Sequence, residues 1–167
     1  IPIITIMSLS LLEVKGVKCS SIASGIKMNG NLDLSLISLI KGSNTAAVFT
    51  QNIFSAAPVI VAKNHLNSNV EALLINSGNA NAGTGHKGIE DTYKTCEYLA
   101  SELQVLPEQV LPFSTGVIGE FLPLEAFKSN VNLLVSSLSK EGMSKVARGI
   151  LTTDLVEKSY STSINIG

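Results

Sequence analysis

Ser114-Thr115-Gly116-Val117-Ile118-Gly119 is the stretch on which the reading of this chain turns. It follows the apolar run Val110-Leu111-Pro112-Phe113 and precedes a charged, helix-like segment opening at Glu120. A strand that ends in Ser-Thr-Gly leaves backbone N–H groups and a hydroxyl directed off its end. Gly116 permits a sharp turn and close approach of another group to the backbone. Such a turn can present donors to a developing oxyanion. The same residues also suit an ordinary strand-to-helix turn capped by Thr115, because short Gly/Ser/Thr turns are common at such junctions. Spacing alone leaves both readings open.

Upstream, a second glycine-bearing loop follows an apolar run. Residues 70–75 are expected to form a buried strand that enters Asn76-Ser77-Gly78-Asn79-Ala80-Asn81-Ala82-Gly83-Thr84-Gly85, with three Gly, three Asn and two hydroxyls. A helix is expected over residues 87–103, with Ile89, Tyr93, Cys96, Leu99, Ala100 and Leu103 on one face at close to the 3.6-residue period. Glu90 and Asp91 in its first turn favour the helix dipole. A Gly-rich loop feeding a helix can cradle an anion, but the closing Gly-Lys-Ser/Thr of a P-loop and the GxGxxG of dinucleotide folds are both absent. The alternative is an Asn/Gly turn at the end of a buried strand.

Further out, strands are expected over residues 14–19, 32–37, 46–50 and 57–62, with Pro58 at a strand start, and with turns at Asn29-Gly30-Asn31 and residues 41–44. Downstream, Pro123 suits the first turn of a helix whose buried side carries Phe127, Val131, Leu134 and Leu138, broken by Gly142. A further helix carries Val146, Ala147, Ile150 and Leu151 and ends near Thr152-Thr153-Asp154, which reads either as a substrate contact or as a plain cap and turn. From Leu155 onward the chain is polar and strand-like. Strands in the first part and helices in the second indicate an α+β layered domain covering residues 1–167.

The bulk numbers narrow the function. With 167 residues, 45% hydrophobic and only 15% charged, the chain can build a core and is expected to bury surface against a partner. Twelve basic and 13 acidic residues leave a formal charge of -1, with no basic stripe for nucleic acid. The absence of Trp and a 5% aromatic share argue against base-stacking surfaces. Cys19 and Cys96 form no CxxC pair and are expected as buried free thiols. His65 and His86 lack ligand-spaced neighbours, so neither a metal nor another cofactor is expected. The apolar residues 1–12 are too short to span a bilayer and are expected as a strand or an ordered arm. Since the chain does not begin with Met, its true start is expected upstream.

Taken in order, Asn76-Ser77-Gly78-Asn79-Ala80-Asn81-Ala82, Ser114-Thr115-Gly116-Val117-Ile118-Gly119 and Thr152-Thr153-Asp154 resemble the ornithine acetyltransferases, or glutamate N-acetyltransferases, of arginine biosynthesis. Weaker agreement runs through Gly25-Ile26-Lys27, Ala46-Ala47-Val48-Phe49-Thr50 and Ala56-Ala57-Pro58-Val59. The resemblance implies a four-layer α/β/β/α fold shared with self-cleaving aminopeptidases. It implies that this is the α chain of a precursor that cuts itself before a threonine, which then opens a β chain and serves as nucleophile, in an α2β2 assembly. It implies acetyl transfer from N-acetylornithine to glutamate through an acetyl-enzyme, in the cytoplasm or, in a eukaryote, the mitochondrial matrix. Acetyl-CoA is a further donor for some members. Thr115 and Gly116 map onto the oxyanion hole, and Thr152, with Thr153 adjacent, onto a substrate contact. Two departures stand out. Gly83-Thr84-Gly85 replaces the usual Cys-Thr-Gly, and Leu155-Val156-Glu157-Lys158 replaces a Thr- and Pro-bearing stretch. A self-processing aminopeptidase or amidase of related fold, with water as acceptor, and a non-catalytic assembly subunit are the competing readings.

Overall fold

Alternating apolar and small polar residues in the first part of the chain build an antiparallel pair. In the computed structural model, which describes residues 11–165, β1 (Val17–Ile22) pairs antiparallel with β2 (Leu34–Leu39), and β2 pairs antiparallel with β3 (Ala72–Asn79). β4 (Val110–Val117) then joins β3 in parallel, giving the order β1-β2-β3-β4. A parallel neighbour requires a crossover, and α2 (Gly85–Leu103) supplies it.

The period-2 alternation sorts each strand's side chains onto two faces. Ile22, Leu34, Leu36, Ala72, Leu74 and Val110 are buried under a helical layer. That layer is made by α1 (Ala57–His65), α2, α3 (Leu124–Lys128) and α4 (Val131–Ser136), which contribute Val61, Cys96, Leu99, Phe127 and Leu134 to the core. On the other face, α5 (Met143–Gly149) lies across β1 and β2. There a side chain at Gly149 would collide with the hydroxyls of Ser21 and Ser35. Beyond α5 the described residues leave this face partly uncovered, and Phe113 is 43% exposed among them. The class is α+β, as expected. The described residues hold one sheet, so the second sheet of an α/β/β/α arrangement is not among them.

Several local expectations fail for identifiable reasons. Residues 57–62 form the first turns of α1, not a strand. The pre-proline position of Ala57 does not prevent this, because Pro58 sits in the first turn, where its missing N–H is no loss. Short apolar runs are ambiguous by period, and burial of Val61 and Ala62 decides for helix. Residues 46–50 join no ladder among the described residues, and Val48 is 99% exposed. The helix expected across residues 123–138 is two helices, separated where Asn130 turns its Nδ2 back to the Ala126 carbonyl at 2.9 Å. Residues 155–165 form no strand. The strand or arm expected over residues 1–12 lies almost wholly outside the described residues.

Candidate active site

Because β3 and β4 run the same way, their C-terminal ends arrive side by side. Ser77 is level with Thr115 and Gly78 with Gly116, and a bulge follows at Gly78 and Asn79. Gly116 has φ +134°, a region that L side chains rarely adopt. A Cβ there would overlie the Gly78 carbonyl carbon and stand 2.6 Å from the Asn79 nitrogen. Only glycine lets the two strand ends meet this closely.

These strand ends floor a cleft of about 770 Å³. Gly78, Thr115 and Gly116 form the floor, residues 27–32 supply one wall, and Arg148 with residues 151–154 supply the other. All four residues singled out from the sequence, Thr115, Gly116, Thr152 and Thr153, therefore line one cavity. Thr115 is half-buried, and its hydroxyl has no hydrogen-bond partner among the described residues. Ser114, one step earlier, points the other way and donates to Oδ1 of the buried Asn76 at 2.6 Å.

Each wall is held by a polar anchor, the first of them fully buried. Asp33, 0% exposed, accepts from the Ser24 amide at 2.7 Å, the Ser24 hydroxyl at 2.8 Å and the Lys27 amide at 2.8 Å, which curls the loop between β1 and β2. From that loop Lys27 Nζ donates to the carbonyls of Leu151 at 2.6 Å, Leu32 at 2.9 Å and Gly149 at 3.4 Å. Burial holds the Lys27 ammonium below the ordinary lysine range, and the charge of Asp33 offsets part of that shift. Arg148 and Lys27 face the cleft against one carboxylate, Asp154, which Lys158 engages at 2.6 Å. The balance favours a ligand carrying negative charge.

The asparagine-rich loop resolves toward the structural alternative. Asn76 Nδ2 donates to the Asn79 carbonyl at 2.8 Å, and Asn79 Nδ2 donates to the carbonyls of Glu120 and Phe121. Asn81, 0% exposed, donates to the Gly88 carbonyl at 2.9 Å and the Thr92 hydroxyl at 2.8 Å, fastening the start of α2. These amides serve the fold, and of the loop's glycines only Gly78 reaches the cleft. Gly83, Thr84 and Gly85 line a separate hollow beside Phe54 and His86.

Neither histidine lines the cleft. His65 is 3% exposed, with Nδ1 on the Val110 carbonyl at 2.8 Å. Both thiols are buried and free. Among the described residues, no group of His, Cys, Asp or Glu could hold a metal ion, and no helix is long and apolar enough to cross a membrane. Sequence reasoning missed Asp33, Arg148 and the anchoring role of Lys27. The Lys27 contacts join segments far apart in the chain, Asp33 binds mainly backbone amides of its own loop, and nothing in the local pattern marks any of the three.

Comparison with known proteins bears on the family and the fold. The ArgJ family profile matches residues 18–167. The arginine biosynthesis bifunctional protein ArgJ of Methylococcus capsulatus is 44% identical over 156 residues, which are 93% of this chain and 38% of that protein. The protein of the same name from Colwellia psychrerythraea is 38% identical over 174 residues, 97% of this chain and 41% of its own length. The chain thus spans about two fifths of the length of these relatives. Among solved structures, ornithine acetyltransferase from Mycobacterium tuberculosis, complexed with ornithine, superposes with a TM-score of 0.81 at 35% identity, covering 85% of this chain and 78% of that one. ArgJ from Bacillus halodurans gives 0.82 at 34% identity, covering 91% and 82%.

Proposed function

The chain belongs to the ArgJ family, and we propose that it is the α-chain portion of an ornithine acetyltransferase that moves an acetyl group from N-acetylornithine to glutamate. The observation that carries this reading is the convergence of Thr115, Gly116, Thr152 and Thr153 on one cleft. The attacking group is the hydroxyl of a threonine that opens a β chain cut from the same precursor. Its own terminal amine takes the hydroxyl proton, so no histidine relay is needed, and both histidines lie away from the cleft.

The threonine oxygen attacks the acetyl carbonyl, and the resulting oxyanion is met at Thr115 and Gly116, at the end of β4. Collapse expels the ornithine amine, which takes up the proton, and leaves an acetyl ester on threonine. The glutamate amine then attacks that ester through a second oxyanion at the same place, passing a proton to the terminal amine; collapse breaks the ester C–O bond, the proton returns to the threonine oxygen, and N-acetylglutamate leaves. Thr152, flanked by Thr153, orients the substrate, and Arg148 favours a carboxylate-bearing ligand in the cleft. No cofactor enters the cycle. The uncovered half of the sheet is where the β chain completes the fold, in an α2β2 enzyme of the cytoplasm or, in a eukaryote, the mitochondrial matrix.

The test is to supply the processed enzyme with N-acetylornithine, with and without glutamate. Formation of N-acetylglutamate at the rate of ornithine release supports the transferase. Rapid acetate release that ignores glutamate points to a hydrolase. A folded, processed assembly inactive in both assays points to a structural subunit. Acetyl-CoA offered in place of N-acetylornithine shows whether the same site takes a second donor.

A further inference from the structure

The segment that carries Thr152 and Thr153 has no secondary structure of its own, and both threonines are exposed. Something else must fix their distance from Thr115. The carbonyls just before them are the free acceptors that every helix leaves at its C-terminus. Here those acceptors are taken up from a distance. The Gly149 carbonyl receives the buried Ser77 hydroxyl of β3 and the Lys27 ammonium, and the Leu151 carbonyl receives the same ammonium at 2.6 Å.

Lys27 reaches this point because Gly78 is bare. A Cβ on Gly78 would stand 3.0 Å from Cγ of Lys27 and 3.2 Å from Cγ2 of Ile26. The lysine stem therefore runs over the backbone of β3 at the level of the Gly78–Gly116 contact. Its backbone amide is meanwhile fixed by Asp33 at 2.8 Å. The floor of the cleft and its far wall are thus joined through one side chain.

We propose that Lys27 is a positioning residue for the reaction: its ammonium clamps the Gly149 and Leu151 carbonyls and so sets Thr152 at its working distance from Thr115 and Gly116 at the end of β4. The consequence for turnover rests on the reading of Thr152 as a substrate contact; the clamp itself does not. An ammonium carries three donors that can diverge toward three carbonyls, whereas the planar guanidinium presents them in a fork. Arginine therefore replaces the charge and part of the geometry.

The experiment compares Lys27→Met, Lys27→Arg and Thr152→Ala in the full processed enzyme, with KM for N-acetylornithine, kcat, melting temperature and hydrogen exchange at residues 150–154 as readouts. Misplacement of a binding group by about an ångström lowers productive binding steeply, so Lys27→Met should raise KM roughly tenfold or more while kcat stays within about threefold. Lys27→Arg should recover most of that loss, and exchange at residues 150–154 should quicken in the Met variant and not in the Arg variant. Unchanged exchange at residues 150–154 in Lys27→Met overturns the clamp. Faster exchange with KM unmoved overturns its role in the reaction. If Thr152→Ala leaves KM unchanged, the assignment of Thr152 fails, and the clamp is still judged on exchange. Should Lys27→Met not fold, Lys27→Gln, which retains two shorter-reaching donors, is judged by the same two criteria.

Discussion

Neighbouring hydroxyls on β4 should separate turnover from stability. Thr115 has its hydroxyl in the cleft without a partner among the described residues, while Ser114 spends its hydroxyl on Asn76, which is 2% exposed. Thr115→Ala removes no internal hydrogen bond, so its cost in stability should stay within about 0.5 kcal/mol. If its hydroxyl helps to hold the oxyanion, kcat should fall by roughly 100- to 1,000-fold, equivalent to about 3–4 kcal/mol. Ser114→Ala leaves the amide oxygen of Asn76 without its donor and should cost about 1–3 kcal/mol of stability. At roughly 2–4 °C per kcal/mol for a protein of this size, that is a fall in melting temperature of several degrees. Its effect on kcat should be far smaller than that of Thr115→Ala. Steady-state acetyl transfer to glutamate and thermal melting of the processed enzyme measure both quantities on the same samples. Thr115→Ala losing stability and turnover in step, or keeping full turnover, would refute the reasoning.

Three further outcomes follow from the packing and the buried groups. Gly116→Ala should cost well beyond the ~1–3 kcal/mol of a strained backbone conformation, because its methyl also overlies the Gly78 carbonyl; loss of soluble processed enzyme, or a steep fall in melting temperature, is the expected result. Asp33→Ala strips three donors of their acceptor and should destabilise by roughly 1–3 kcal/mol for each that water cannot reach, with urea unfolding as the measurement and proteolysis expected in the loop between β1 and β2. Burial pushes the Cys96 thiol up from 9.0 to about 12, with Glu97 and Glu108 adding to the shift and a hydrogen bond with Thr95 opposing it. The folded value lies above the unfolded one, so this contribution is intact below pH 9 and drains away between there and about 12, at no more than about 1.4 kcal/mol per pH unit. Stability measured across that window should fall less steeply in a Cys96→Ala variant, and native Cys96 should resist alkylation at pH 8.

The four residues singled out from the sequence come together on one cleft, and the α+β class was legible as well. Gly116 and Thr115 stand in a short run whose residue types suit either a donor-bearing or an ordinary turn; the strand in fact continues through both to Val117, and it was the order of the three motifs that pointed to one family. Strand identity was harder. Ala57-Pro58-Val59-Ile60-Val61-Ala62 is too short for its period to separate helix from strand, and only its place under β4 decides. Residues 46–50 carry strand-like side chains but have no neighbour to pair with among the described residues. Lys27 was invisible as an anchor because its partners include carbonyls more than a hundred residues downstream, and carbonyls leave no trace in side-chain patterns; Asp33 was invisible because its partners, though near in sequence, are mostly backbone amides, which leave none either.

The bare backbones stacked through the cleft also constrain how such an enzyme can change. Gly116 presses on Gly78, Gly78 lies beneath the stem of Lys27, and Lys27 ends on the chain before Thr152. No link in that series has room to shorten or lengthen, so this half of the cavity behaves as a fixed jaw. A lineage drifting toward larger or smaller acyl donors would have to do its tailoring on residues outside this series, and sequence variation tied to substrate choice should collect there.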